Sequence, residues 1–397
     1  MESATSTSAF GARDIIRKPP RDHRIDLVRG FALATIFINH MPGNWIGQLT
    51  PRNFGFSDSA ELFVLLAGYA AAKAYYPLFS RGDRRGLAIK ALRRAGVLYG
   101  AHIVTTLAAI ALFWAAIAAS GDLEARDLIG IAPVLADPGS SLIAVLVGGF
   151  QLGYFNILPM YVVLLALLPA MFWLAAKDLR LLALVSAGAY LATNIAGLKL
   201  PSSPNFESWF FNPIAWQCLF TGGLVLGIRQ CRGQTLGYHP ALFAAAAGYL
   251  VFSAVWTTNN YGASLGARML PDWLGSLQKP NLPVARLLHV AALAYVISNC
   301  CAWAWLSRVP RNFVLTRMGR HSLPVFMAGS LLSMAGWLVS NAAGEGLAVE
   351  TLVAAAGLAL MAWQARWIEG DARFPQVPKT FLGHFAEGGN TARLALR

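Results

Sequence analysis

Arg29, a permanent cation, and His40, a side chain capable of acid–base chemistry, both stand within the first apolar run of the sequence. A charged residue at the centre of a membrane helix costs roughly 2.5 to 3.5 kcal/mol, so such a residue needs a functional reason. The two positions are eleven residues apart, close to three helical turns. Both therefore project from one face of a helix, about 16 Å apart along its axis. Asp26 lies one turn before Arg29 and is predicted to pair with it at i, i+3.

Two carboxylates, Asp58 and Glu61, stand where the second apolar run begins. If Ser57 or Asp58 caps that helix, both acids lie in its first turn, near the positive end of the helix dipole. The acids could be ordinary capping residues, and the charges of the first run could simply mark the membrane interface. His40 differs because it lies inside the span, where a lone histidine needs a partner. Asp58 or Glu61 is the expected partner.

Intramembrane groups of this kind are typical of two classes of protein. In an enzyme a histidine with a carboxylate can act as a general base, whereas in a proton-coupled secondary transporter the same groups would form a proton relay. Transporters often contain inverted repeats and paired broken helices, and no internal repeat is evident in this sequence. A structural scaffold would leave Arg29 and His40 without a purpose. These residues alone support an enzyme and a transporter equally.

The composition indicates that these residues are carried by membrane helices. The 397 residues are 56% hydrophobic and only 13% charged, with a mean hydropathy of +0.51, which excludes an ordinary soluble protein. We predict an all-α polytopic membrane protein of about ten transmembrane helices with both termini in the cytoplasm. The predicted spans are Leu27–Ile46, Ala60–Phe79, Ala95–Ala119, Asn156–Ala176, Leu181–Gly197, Pro213–Ile228, Ala241–Thr257, Leu287–Leu306, Leu323–Asn341 and Thr351–Ala365.

Three regions are expected along the chain. Residues 1–24 are predicted to be a disordered basic cytoplasmic tail without signal-peptide features, residues 25–368 a single membrane domain, and residues 369–397 a second cytoplasmic tail. The four cysteines have no C-x-x-C spacing, so neither a zinc site nor a disulfide framework is indicated. No metal is predicted.

The positions of the basic residues predict the orientation. With the N-terminus inside, the predicted cytoplasmic segments hold 24 of the 32 Lys and Arg residues, and three more fall within or at the edge of helices. Cytoplasmic segments carry such an excess in membrane proteins, so the net charge of +13 is read as a topology signal and not as a nucleic-acid surface. The outer segments hold only five: Arg52, Arg126, Lys199, Arg268 and Lys279.

Several motifs together resemble the OpgC-type membrane acyltransferases, which are relatives of the family 3 integral membrane acyltransferases. Near the N-terminus the matching features are Arg24 to Asp26, Arg29-Gly30 with its spacing to His40, Gly55 to Asp58 with Glu61, and Phe63 to Gly68. Further matches are Ile157 to Tyr161, Phe211 to Pro213 with Trp216-Gln217, Arg286 to His289, and Gly319 with Ser322-Leu323. The resemblance extends along most of the chain and favours the enzyme over the transporter.

The resemblance implies a ten-helix enzyme of the bacterial cytoplasmic membrane that uses a cytoplasmic acyl-CoA donor. The acyl group is succinyl in the type members, and the acceptor is a hydroxyl of an osmoregulated periplasmic glucan or another envelope glycan. A base must take the hydroxyl proton, and the unperturbed pKa of histidine, about 6.5, suits that task. We expect His40 to be the base and Asp58 or Glu61 to fix its tautomer. Arg29 would hold the thioester or stabilise oxyanion charge; an acyl-histidine intermediate is the open alternative.

Basic residues between the second and third runs are candidates for binding the phosphates of acyl-CoA, because guanidinium groups bind phosphate bidentately. Arg93 and Arg94 are favoured, with Arg85, because a basic element stands at the head of the third helix in the resembled family. For any single residue, positive-inside topology or binding of anionic membrane lipids is the simpler explanation. No permanently bound cofactor is predicted.

Candidates for acceptor and acyl-group binding lie on the predicted outer side. Arg286 could hold a succinyl carboxylate and shares a helix face with His289 at i, i+3. Trp216 could stack on a sugar ring, or belong to the aromatic belt of the interface. Asn212 could hydrogen-bond the substrate or join two helices.

Overall fold

The computed structural model describes residues 21–121, 129–202, 208–259, 277–344 and 346–370. Of the residues that the structure describes, 77% are helical, and none of them lies in a strand. Both predicted tails lie almost wholly outside those ranges, so the division into three regions stays a prediction. The helices are α1 (His23–Asn39), α2 (Ser59–Ser80), α3 (Arg84–Ser120), α4 (Ala132–Ala136), α5 (Pro138–Leu146), α6 (Ile157–Lys177), α7 (Leu179–Ala196), α8 (Pro213–Cys231), α9 (Pro240–Thr258), α10 (Val284–Asn299), α11 (Cys301–Leu306), α12 (Val314–Arg320), α13 (Ser322–Ala343) and α14 (Leu347–Ile368).

Seven of the described helices are long and apolar enough to cross a membrane, namely α2, α3, α6, α7, α9, α13 and α14. The other three predicted spans coincide with α1, α8 and α10. Of these, α1 and α10 are shorter, at 17 and 16 residues, and α8 is buried along most of its length. The prediction of an all-α polytopic membrane protein is confirmed.

Two predicted elements differ in the structure. The span expected over Leu287–Leu306 is broken, because α10 ends at Asn299, Cys300 is extended, and α11 begins at Cys301. The Asn299 side chain donates a 3.0 Å hydrogen bond to the carbonyl of Tyr295, and polar side chains of this type compete with the helix for its own carbonyls. The connection expected between Ser120 and Phe155 contains the short helices α4 and α5.

The centre of the molecule is the crossing of α2 with α8, where glycines allow very close approach. A Cβ atom on Gly68 would lie 1.9 Å from the carbonyl oxygen of Phe220, and one on Gly223 would lie 2.0 Å from that of Leu65. Membrane helices gain packing contacts when small residues let their backbones meet. The crossing therefore fixes the start of α2, which carries Asp58 and Glu61, against the rest of the bundle.

Reporter fusions test the predicted orientation, which decides which side of the membrane is cytoplasmic and which is periplasmic. Because most Lys and Arg residues cluster at one set of helix ends, fusions after Lys177 or Arg232 should report a cytoplasmic location, and a fusion at Asp137 a periplasmic one. The measurement is the paired activity of a cytoplasmic and a periplasmic reporter at each site. The opposite pattern would exchange the donor and acceptor sides.

Candidate active site

Asp58 is the N-cap of α2, and it is one of the two alternatives, Ser57 or Asp58, that the sequence predicts. Its carboxylate accepts a 2.8 Å hydrogen bond from the backbone N–H of Ala60, and Glu61 accepts a 2.9 Å bond from the backbone N–H of Asp58. This reciprocal capping box satisfies two N–H groups that have no partner within the helix. Both carboxylates thus lie in the first turn, as the sequence predicts.

Two cations neutralise this carboxylate pair. Arg286 Nε donates to Glu61 Oε1 at 2.6 Å, and its Nη2 lies 3.4 Å from Asp58 Oδ2. Lys279 forms an ion pair with Asp58 as well. Burial of Asp58 opposes its ionisation, but the charges of Lys279 and Arg286 outweigh burial and hold the pKa of that carboxyl below its usual range. The four groups form one ion-pair cluster joining α2, α10 and the segment before α10.

A cavity of about 400 Å³, the His40 cavity, opens beside this cluster. His40 follows the last residue of α1, and its buried Nδ1 has no hydrogen-bond partner among the described residues. Its ring centroid lies 4.8 Å from that of Tyr154. The polar and aromatic groups that line the cavity with His40 are Asn39, Arg52, Asp58, Ser59, Tyr154, Asn156, Phe210, Phe211, Lys279 and Phe326.

Two residues flanking the cavity hold an unusual backbone conformation. Tyr154 has φ 67° and Leu282 has φ 50°, and they are the two non-glycine residues with positive φ in the described part of the chain. A bulky side chain in the left-handed region is strained, and such strain persists only where the surroundings enforce it, often at functional sites. Tyr154 is thereby held with its ring against His40, and Leu282 follows the loop that carries Lys279.

A second cavity, the Arg29 cavity, has a volume of about 530 Å³ and lies beside the first half of α1, whereas His40 follows its end. Its basic lining residues are Arg29, Lys90, Arg93 and Arg94; Arg85 is not among them. The Nε of Arg29 is buried without a hydrogen-bond partner among the described residues, and its Cζ lies 5.6 Å from the ring centroid of Phe63. A cavity lined by these cations can bind an anionic group.

The two cavities share two apolar lining residues, Ile157 at the start of α6 and Phe326 in α13. We call this pair the apolar partition. Arg29 and His40 therefore face two different cavities at the two ends of α1, one on each side of the partition. A ligand reaching from Arg29 to His40 would have to pass these two side chains.

Two contacts predicted from the sequence do not form. Asp26 pairs with Arg21 and not with Arg29, through hydrogen bonds of 2.6 and 2.8 Å. The cause is that Arg21, just before α1, presents its guanidinium to both carboxylate oxygens. No hydrogen bond or ion pair joins His40 to Asp58 or Glu61; Asp58 is paired with Lys279 and Arg286, and Glu61 is paired with Arg286. Asp58 still shares the His40 cavity, whereas Glu61 is fully buried behind it.

The four residues predicted to contact the acyl group or acceptor do not line the His40 cavity. Arg286 is bound within the ion-pair cluster, and His289 Nδ1 is 2.7 Å from Ser57 Oγ. Trp216 is fully buried and donates 3.2 Å bonds to the carbonyls of Lys279 and Pro280. Asn212 caps α8 and bridges to Leu198 and Asn281. All four hold the segments that surround the cavity, and direct contact with substrate stays a prediction.

Three lining residues were not singled out by the sequence, namely Arg52, Tyr154 and Lys279. A signal for two of them was present, because Arg52 and Lys279 are among the five cations on the outer side, where basic residues are scarce. Tyr154 had no comparable signal, since its importance comes from the ring contact and the backbone conformation. In the described ranges, no three His, Cys, Asp or Glu side chains group as metal ligands.

Comparison with known proteins agrees with this architecture. A family model described as OpgC protein matches residues 21–373, which is most of the chain and includes every helix of the fold. No curated protein and no solved structure shows significant similarity. Because the match extends from the start of α1 beyond the end of α14, the chain is a multi-pass membrane protein of the OpgC family, a family of acyltransferase type.

Proposed function

We propose that the protein transfers an acyl group, succinyl in the first instance, from cytoplasmic acyl-CoA to a hydroxyl of a glucan or another envelope glycan. The transfer would occur in the bacterial cytoplasmic membrane, with the acceptor on the periplasmic side. The observation that carries the proposal is the pair of cavities that meet at Ile157 and Phe326, one lined by arginines and the other by His40. This arrangement supports a donor and an acceptor entering from opposite faces.

The Arg29 cavity fits the donor. Arg93 and Arg94 lie on α3 at its rim and are exposed, so their guanidinium groups can bind the phosphates of coenzyme A bidentately. Arg29 lies deeper, where its unpartnered Nε can donate to the pantetheine arm or the thioester oxygen. The acyl end would then pass the apolar partition and reach His40, about 16 Å further along α1.

In the transfer step His40 takes the proton of the acceptor hydroxyl while the hydroxyl oxygen attacks the thioester carbonyl carbon. The tetrahedral intermediate collapses as the carbon–sulfur bond breaks, and the thiolate of coenzyme A takes the proton from the imidazolium. Tyr154 would hold the imidazole through the tilted contact between the two rings, and the charge of Asp58 would act on the imidazole across the cavity without a direct bond. A positioned base of this kind contributes typically about 10²- to 10⁴-fold in rate.

The free carboxylate of a succinyl group needs a cation in the His40 cavity. Arg286 was the candidate from the sequence, but it is occupied by Glu61 and Asp58. Arg52 lines the cavity, is exposed, and forms no ion pair with a described residue. Arg52 therefore takes the place of Arg286 in the proposal.

The test is a product assay with purified protein, succinyl-CoA and a linear β-glucan. The expected result is release of free coenzyme A together with a glucan whose mass has risen by one or more succinyl groups. A proton-coupled transporter, the rival reading of the same intramembrane residues, would leave both compounds unchanged. Unaltered masses with an active, correctly inserted protein would therefore overturn the proposal.

The proposed donor site predicts that two pairs of arginines on the same side of the membrane differ in their effect on acyl-CoA binding. Replacing Arg93 and Arg94 together by Gln should weaken acyl-CoA binding about tenfold or more, because two charge-assisted contacts to phosphate are lost. The matched control is Arg84→Gln with Arg85→Gln, which removes the same charge from outside the cavity. Binding is measured by calorimetry in detergent. Equal losses in both variants would assign the effect to overall charge.

A further inference from the structure

A second basic site lies apart from both cavities, where the turn between α6 and α7 meets the end of α8. This basic pocket has a volume of about 700 Å³, and four cations line it: Lys177, Arg180, Arg229 and Arg232. The one carboxylate in the lining, Asp178, accepts a 2.7 Å bond from the backbone N–H of Arg180 and so caps α7. None of the four cations forms an ion pair with a described residue, so among the described residues the lining of the pocket has four positive charges and one negative charge.

Arg229 points to a ligand from outside the chain. Its Nε is buried and has no hydrogen-bond partner within the described ranges. A buried donor left without an acceptor is destabilising, and more so when the group is charged, so an anionic acceptor in the pocket would remove that cost. Lys177 marks the lipid boundary, because its Nζ lies 3.8 Å from the ring centroid of the exposed Trp173.

An apolar groove of about 720 Å³ continues from the basic pocket toward the middle of the membrane. The two share Ala183 of α7 and Val225 of α8 as lining residues. The groove lies between the pair α7–α8 and the pair α9–α10. Its lining is mainly apolar, with Leu65, Leu219, Leu242 and Leu287 among its residues, and contains no charged side chain. A charged pocket that opens into an uncharged groove matches an amphiphile with an anionic head and hydrocarbon chains.

We propose that this composite site binds an anionic phospholipid of the cytoplasmic leaflet. The headgroup phosphate lies among Lys177, Arg180, Arg229 and Arg232, and an acyl chain fills the groove. Basic pockets between membrane helices on the cytoplasmic side bind such headgroups, and arginine provides bidentate bonds to phosphate. The site does not depend on the proposed reaction, since it shares no lining residue with the His40 or Arg29 cavity.

The test is native mass spectrometry of the purified protein titrated with phosphatidylglycerol or with phosphatidylcholine of the same acyl chains. We expect retention of phosphatidylglycerol, and a loss of at least about tenfold in its affinity when Arg229 and Arg232 are both replaced by Gln. The control variant, Arg84→Gln with Arg85→Gln, removes equal charge from the same membrane face and should bind normally. Equal affinity for the two lipids, or equal loss in both variants, would overturn the proposal.

A third variant tests the groove. Gly222 lines it, and the nearest atom to a Cβ built there is 4.0 Å away, so a side chain can start there without a clash, and Gly222→Phe is chosen to place a ring in the groove. This variant should bind phosphatidylglycerol at least about tenfold more weakly, because the phenyl ring would occupy the space of the acyl chain and remove its packing contacts with the groove. Glycerol 3-phosphate should compete poorly with the lipid in the unmodified protein. Unchanged lipid binding in Gly222→Phe, or effective competition by glycerol 3-phosphate, would show a site for small anions instead.

Discussion

His40→Gln should lower the rate of acyl transfer by about a hundredfold or more, because an amide cannot accept and return the proton of the acceptor hydroxyl. Glutamine is close to histidine in size and keeps a donor and an acceptor, so the loss would report proton transfer and not packing. The rate is measured as release of free coenzyme A with saturating glucan. His40 is half-buried and its Nδ1 makes no bond to a described residue, so thermal stability should change little.

His239→Gln is the matched control, since His239 is exposed and lies before α9, away from both cavities. It should keep normal turnover. Near-normal turnover in His40→Gln would remove the base assignment. The role would then pass to Asp58, the other titratable carboxyl or imidazole group in the same cavity within the described ranges.

Arg286→Met should destabilise the folded protein by about 3–5 kcal/mol, because it leaves the buried Glu61 carboxylate without its partner. Glu61 is fully buried, so water cannot replace the lost guanidinium. The measurement is the free energy of unfolding from a denaturant titration in mixed micelles. The double variant Arg286→Met with Glu61→Gln should recover part of the loss, since it removes both charges.

The control for this experiment is Arg81→Met at the exposed end of α2, where the loss should be small. A different result would favour the prediction from the sequence, in which Arg286 binds the carboxylate of the succinyl group. If Arg286→Met left stability unchanged but raised KM for succinyl-CoA, Arg286 would be a ligand of the acyl carboxylate and not a structural cation.

Local features of this protein could be predicted from the sequence, because they depend on neighbours along the chain. The cap of α2 is an example: Asp58 and Glu61 are three residues apart, and their hydrogen bonds go to backbone groups of the same turn. The apolar runs also predict the helices, since each run must satisfy its own backbone groups within the membrane.

Contacts between distant parts of the chain could not be predicted in this way. Glu61 and Arg286 are 225 residues apart, and their ion pair follows from the packing of α10 against α2. The short helix α12 was missed because it is too brief to show a period, although it packs tightly on α1. A Cβ atom on Gly30 would lie 1.7 Å from the carbonyl oxygen of Leu315, a contact that only the folded helices reveal.

Helical periodicity likewise could not predict that Arg29 and His40 lie in two different cavities. Three turns of one helix predict a shared face, and α1 has that geometry up to Asn39. The side chains of α6 and α13 then divide the space in front of that face, and no spacing within α1 contains this information.

The apolar partition has a consequence for the energy supply of the cell. A bilayer that stores a proton gradient tolerates no continuous water path, yet this protein has a cavity toward each face with charged groups in both. Ile157 and Phe326 are the two side chains that both cavities touch, and narrow hydrophobic constrictions block ions by staying dry. A flexible thioester arm can slide between such side chains, while a hydrated proton or sodium ion would have to shed its water. Ile157 and Phe326 would thus allow an acyl group to pass and prevent ions from crossing the membrane.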